Sequence, residues 1–376
     1  MARIIAEVSR TFNEFLLLPN RTRAGCSPST VGLSTPLVRH VVGERPAIEL
    51  HVPFTSAIMQ AVSTPELAIA LARNGGLSFL HHNRPIQDHV AAVCQVKNAK
   101  ATAVDGAGRP RVGAGVNTHD YRERVPALAE AGVDALCFDS SDGYSDWQAE
   151  ALAWVKKHYP EIAAGGGNVV DGEAFTFLAE AGADFVKVGV GGGSICITRD
   201  QKGIGRGQAS AVLDVAAARD AFRERTGEYV PICSDGGLVH DYHVALALAM
   251  GADFVMMGRY FARFDQAAGA KLPTRDGFVK EYWGEGSNRA RNWRRYGQGG
   301  QGLLFEEGVD GYVPYAGDLD EGLALTIAKL KTTMVSCGST TLAEFRSSAR
   351  LTLVSDQSFQ ESHANVTLRD TASTAV

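Results

Sequence analysis

One of the six cysteines stands apart from the rest. Cys196 lies in Gly191-Gly192-Gly193-Ser194-Ile195-Cys196-Ile197-Thr198-Arg199, just after the apolar run Asp184-Phe185-Val186-Lys187-Val188-Gly189-Val190. A thiol presented this way suits a nucleophile. The strand fixes the loop, the glycines let another molecule approach the backbone, and Ser194 with its neighbouring amides can hold an anion beside the sulfur. A loop with three glycines on one side and Thr198 on the other offers a packing thiol little to pack against.

Other polar residues follow apolar runs in the same way: Ser56 and Met59, Asn117, Asp139-Ser140-Ser141, Asn168, Asp235-Gly236-Gly237 and Gly258-Arg259. Gly236-Gly237 and Gly258-Arg259 supply the glycines and basic residue that suit a phosphate, and Ser194 adds to that signal. Arg259 alone is equally compatible with a surface ion pair. A flavin-binding site of the same architecture would carry the same features.

The elements that position these residues come from a weak repeat. Glu130-Ala131-Gly132-Val133-Asp134-Ala135-Leu136 recurs as Glu180-Ala181-Gly182-Ala183-Asp184-Phe185-Val186 and as Ala249-Met250-Gly251-Ala252-Asp253-Phe254-Val255. In each copy an apolar helical pattern ends at a glycine suited to a left-handed turn, and an apolar strand follows. Such units mean parallel strands joined by helices. Further strands are predicted over Ile48–Pro53, Leu77–His81, Val112–Val116, Ile162–Gly165 and Pro231–Ser234. A helix opened by Thr64-Pro65-Glu66 and stopped by Gly75-Gly76 separates the first two. The eight strands predict an α/β fold of the (β/α)8 TIM-barrel type, with the polar residues at its C-terminal face.

The 376 residues fit one such catalytic domain with extensions. A net charge of −5 gives no general attraction to nucleic acid or anionic membrane. The start, Met1 to Arg10, lacks the apolar core of a signal peptide, and no apolar run reaches membrane-spanning length, so a cytoplasmic location is expected. The cysteine spacing suggests neither a disulfide framework nor a zinc site. Residues 97–111 read as a short junction, 262–317 as a candidate lid inserted after the eighth strand, and 338–376 as a polar C-terminal extension. The arginines and tryptophans of the lid could serve nucleic acid, but the acidic chain and the lack of a binding motif oppose that.

Taken in order, these motifs resemble the inosine-5′-monophosphate dehydrogenase family. The resemblance rests on Thr55-Ser56-Ala57-Ile58-Met59, Asp139-Ser140-Ser141-Asp142-Gly143, Gly166-Gly167-Asn168, Gly191 to Thr198, Ser234-Asp235-Gly236-Gly237, Met256-Met257-Gly258 and Glu306-Glu307-Gly308-Val309. Arg289-Ala290-Arg291-Asn292-Trp293 and Arg295-Tyr296 are similar to the protozoan and related bacterial branch. Family members usually carry a nucleotide-sensing CBS module where this chain has only residues 97–111.

The resemblance implies oxidation of inosine monophosphate (IMP) to xanthosine monophosphate with NAD⁺ and water. Cys196 would attack carbon 2 of the purine, and Thr198, Arg295 and Tyr296 would serve the hydrolysis that follows. It places Asp235 on the substrate ribose, with Ser194, Gly236, Gly237, Gly258 and Arg259 about the 5′-phosphate. Met59, Asn168, Tyr282, Gly284, Gly286 and Glu307 would complete that site. Asp139, Ser140, Ser141, Gly189 and Gly191 would face the NAD ribose. No Rossmann fingerprint is present, which this family does not need. The family also binds potassium through loop carbonyls, matched by Gly191, Gly193 and Cys196, and through a neighbouring subunit's tail. There this chain reads Glu361-Ser362-His363 where relatives have Glu-Gly-Gly. A homotetramer is the family expectation. The alternatives are GMP reductase, which uses NADPH, and an idle purine-nucleotide-binding protein.

Overall fold

The computed structural model describes residues 2, 4–290, 304–364 and 366. Eight parallel strands close into a barrel: β1 Phe54–Ser56, β2 Leu77–Leu80, β3 Gly113–Val116, β4 Ala135–Asp139, β5 Ala163–Val169, β6 Val186–Val188, β7 Ile232–Asp235 and β8 Phe254–Met257. Each strand pairs with its neighbours in sequence, and β8 returns to β1. Ring helices α1 Pro65–Arg73, α2 Ile86–Lys97, α3 Tyr121–Glu130, α4 Asp146–His158, α5 Gly172–Glu180, α6 Gln208–Thr226, α7 Asp241–Ala249 and α8 Leu319–Ser336 follow the strands. The (β/α)8 expectation is met.

Local chemistry explains the boundaries. The Thr64 hydroxyl accepts from the Leu67 amide and Pro65 opens α1, which is the predicted start. Gly132, Gly182 and Gly251 follow α3, α5 and α7 at φ of 82°, 97° and 120°, so the repeated glycine is the left-handed stop that the spacing demanded.

The first strand departs from expectation. Ile48–Pro53 is not a barrel strand: Glu49–Leu50 pairs antiparallel with Thr35–Pro36, and barrel pairing begins only after Pro53. Leu37, Val38, Ile48 and Leu50 pack with Phe79, Phe185 and Phe254 inside the barrel. Because Phe254 opens β8 and Phe185 immediately precedes β6, this hairpin closes the N-terminal end and leaves the other end open. The apolar run was real, but its partner is the barrel interior rather than the barrel sheet.

The 97–111 junction is a closed turn. The Asp105 carboxylate accepts from the amides of Ala107 (2.9 Å) and Arg109 (3.0 Å) and lies 3.1 Å from Lys97 Nζ. Lys97 also reaches Asp134 at 2.6 Å. Within 262–317, Lys271–Thr274, Gly277–Trp283 and Asp310–Pro314 form a three-stranded antiparallel sheet. In the C-terminal extension, Arg350–Leu353 pairs antiparallel with Phe15–Leu18. No described helix is long and apolar enough to cross a membrane.

Candidate active site

The open C-terminal end of the barrel is a cleft lined by the predicted substrate-side and NAD-side residues, from Met59 and Asp139 to Tyr282 and Glu307. Cys196 and Thr198 lie in its wall. Arg295 and Tyr296 lie outside the described residues. Glu361, Ser362 and His363 are exposed and do not line the cleft of their own chain.

Three functional groups line up at the sulfur. The Cys196 thiol donates to Thr198 Oγ1 at 3.1 Å, and the Thr198 hydroxyl donates to Glu307 Oε2 at 3.0 Å. Lys202 Nζ stands 3.5 Å from the other Glu307 oxygen. The loop is stitched to the Glu307 segment by backbone: Ile197 N–H donates to the Glu307 carbonyl and Val309 N–H to the Ile195 carbonyl, both at 3.0 Å. Gly284 and Gly308 meet there so closely that a Cβ on Gly284 would lie 3.1 Å from the Gly308 Cα. Thiol, hydroxyl and carboxylate in sequence form a path for a proton to leave or reach the reacting centre.

The floor of the cleft carries charge. Asp235, at the end of β7, accepts from Asn168 Nδ2 at 3.0 Å and from Lys187 Nζ at 2.6 Å. The same Lys187 Nζ donates to Asp139 Oδ1 at 3.0 Å and to Asn168 Oδ1. Burial opposes the ammonium charge, but Asp139 and Asp235 outweigh it and hold Lys187 protonated far above its ordinary range. Lys187 was not among the predicted site residues. A lysine inside an otherwise apolar strand was its signal, since a buried cation demands counter-charges.

Directly after Asp235, Gly236 and Gly237 adopt φ of 86° and 72°, and a Cβ on Gly236 would lie 3.2 Å from the Gly193 nitrogen of the cysteine loop. A Cβ on Gly258 would lie 2.7 Å from the Tyr282 hydroxyl, so that glycine keeps the β8 end open. Tyr282 is buried, which pushes its phenol well above the ordinary value and keeps it a neutral donor. The strand bearing Tyr282 is tied down by Lys280, whose ammonium donates to the carbonyls of Phe264 (2.6 Å) and Ala267 (2.8 Å). Beyond it, Arg289 lies 4.0 Å over the Trp283 ring and pairs with Glu281 and Asp310.

Residues 9–365 match the family described as IMP dehydrogenase / GMP reductase domain. The chain belongs to this family. Inosine-5′-monophosphate dehydrogenase of Tritrichomonas foetus is 42% identical over 97% of either chain. The enzyme of that name from Borreliella burgdorferi is 30% identical over 96% of this chain and 98% of its own. The one from Cryptosporidium parvum is 30% identical over 94% of each. The Tritrichomonas alignment runs over 489 positions, 113 more than this chain has residues, whereas the Cryptosporidium alignment runs over 394. Within the family, then, some relatives carry residues that this chain lacks, and others align over a length close to its own.

Proposed function

We propose that this chain oxidises IMP to xanthosine 5′-monophosphate with NAD⁺ and water. The observation that carries the reading is the Cys196–Thr198–Glu307 line beside the Asp139–Lys187–Asp235 floor of the same cleft. Cys196 Sγ bonds to purine C2 as its proton leaves through Thr198. NAD⁺, which Asp139, Ser140 and Ser141 would hold, would supply the acceptor for the C2 hydride. Water then adds to the C2–S thioimidate, the C–S bond breaks, and the thiol is restored as the product departs. One IMP, one NAD⁺ and one water thus give one product, one NADH and one proton.

Asp235 receives the IMP ribose hydroxyls, while Ser194, Gly237 and Arg259 take the phosphate and Tyr282 closes that end. Asp139, Ser140 and Ser141 receive the NAD ribose. Just past them, Tyr144 and Trp147 are 48% and 73% exposed, flat apolar faces suited to the far base of the dinucleotide. Arg295 and Tyr296 enter the hydrolytic step on the resemblance alone. The carbonyls of Gly191, Gly193 and Cys196 are neutral oxygen donors that fit half of a potassium site. Their other half, Glu361 to His363 of a second copy, makes the homotetramer part of the same proposal.

The assay is direct. IMP with NAD⁺ must generate NADH; consumption of NADPH with GMP instead would assign the reductase, and neither reaction would leave a nucleotide-binding protein.

A further inference from the structure

Lys187 has no part in the chemistry set out above, yet its position is expensive to maintain. Its side chain is 3% exposed on β6, between β5 and β7. Room is kept for it: a Cβ on Gly167 of β5 would lie 2.7 Å from the Lys187 Cβ. Its ammonium reaches one oxygen of Asp139 on β4 and one of Asp235 on β7, so the two carboxylates stand within ~6 Å of each other, close enough for like charges to repel. His82 Nε2 stands 3.9 Å from the second Asp139 oxygen, and Asn168 bridges Lys187 to Asp235. A carboxylate that only accepted from one ribose would need no cation shared with a second.

We infer that Lys187 is a positioning residue that couples the two nucleotide subsites, aiming and neutralising at once the carboxylate for the IMP ribose and the carboxylate for the NAD ribose. The inference rests on the functional reading above for which ribose each carboxylate takes. Its physical content is that neither Asp139 nor Asp235 holds its charge and orientation independently of the other. Lys187 touches neither purine nor nicotinamide in this scheme; it acts through the two aspartates.

The test is a mutant cycle read by equilibrium binding of IMP alone, with steady-state kinetics beside it. Lys187→Met leaves the carboxylates facing each other and is expected to weaken IMP at least ~10-fold, the order expected when one partner of a buried pair is removed. Adding Asp139→Asn removes the repulsion from a residue that IMP does not touch. The double variant should therefore bind IMP within ~3-fold of Asp139→Asn alone, which is a coupling and not an additive result. Lys187→Arg keeps the charge but shifts it, so KM should rise for IMP and NAD⁺ together, by more than kcat falls.

Failure of the double variant to recover IMP binding would reduce Lys187 to a structural lysine, as would wild-type IMP binding in Lys187→Met. Should Lys187→Met not fold, the Arg variant decides: a KM change for one nucleotide only overturns the coupling. If the wild-type protein neither binds nor oxidises IMP, the functional reading fails; if it does both and the variants behave as wild type, the coupling alone fails.

Discussion

At Cys196 the decisive partner is a hydroxyl two residues away, and the carboxylate behind it comes from Glu307, just before the Asp310–Pro314 strand. The loop, its thiol and Thr198 were legible in the sequence because glycines and a strand end mark them locally. The Glu307 contact was not, since Thr198 and Glu307 are 109 residues apart and meet only when the segment before the Asp310–Pro314 strand runs beside the loop. Lys187 escaped for the same reason: Asp139 and Asp235 lie 48 residues before and after it. If the hydroxyl passes protons, Thr198→Ala should lower kcat on the order of 10²-fold, the lower end of what a positioned proton-transfer group supplies. Thr198→Ser should keep most of it, and IMP affinity should hold in both. Equal rates for the alanine and serine variants would remove Thr198 from the chemistry.

Elements were read best where one residue type had one physical use. The repeated Gly-x-Asp junctions gave three helix stops and three strand starts, and all three glycines have positive φ. β5 runs on past the predicted Ile162–Gly165, through Gly166 and Gly167 to Val169. It is a strand whose missing side chains make room for others: a Cβ on Gly165 would lie 2.3 Å from the Phe185 ring, and one on Gly166 2.6 Å from Gln148 Oε1. The loop after β7 is held by α7 through His243, whose Nδ1 accepts from the Val239 amide at 3.1 Å. That acceptor role leaves the proton on Nε2, which donates to Asn13 Oδ1 at 2.6 Å. Burial, with His240 nearby, lowers its pKa to about 4.

The sign of the pH effect follows from proton counting. Between about 4 and the unfolded value near ~6.5, the unfolded chain binds a proton that the folded one refuses, so stability rises with pH across that window. His81 and His89, lowered chiefly by burial, share the sign. Each such histidine contributes a slope of up to ~1.4 kcal/mol per pH unit. Urea midpoints of the wild type should fall as pH drops from 6.5 to 4.5, and those of His243→Gln should fall less steeply; identical slopes would contradict the neutral histidine.

On the scale of the molecule, closure of the barrel puts every strand's C-terminal end on one side, and the N-terminal hairpin blocks the other. That is why residues from position 59 to position 307 can meet in one cleft. The sequence revealed this side from the polar residues after each strand, while the plug was misread because its apolar alternation matches that of a barrel strand. The Asp105 turn closes α2 to β3 compactly, so the barrel is complete without an inserted module.

What makes this cleft an enzyme of the proposed kind is a covalent nucleotide on one thiol. Protein turning over IMP and NAD⁺ should be quenched in acid and its peptides weighed. The account predicts the oxidised purine nucleotide on the peptide containing Cys196, at up to about one per site, with NADH formed in step. Sustained NADH formation with that peptide unmodified throughout, or with the nucleotide on another residue, would contradict it.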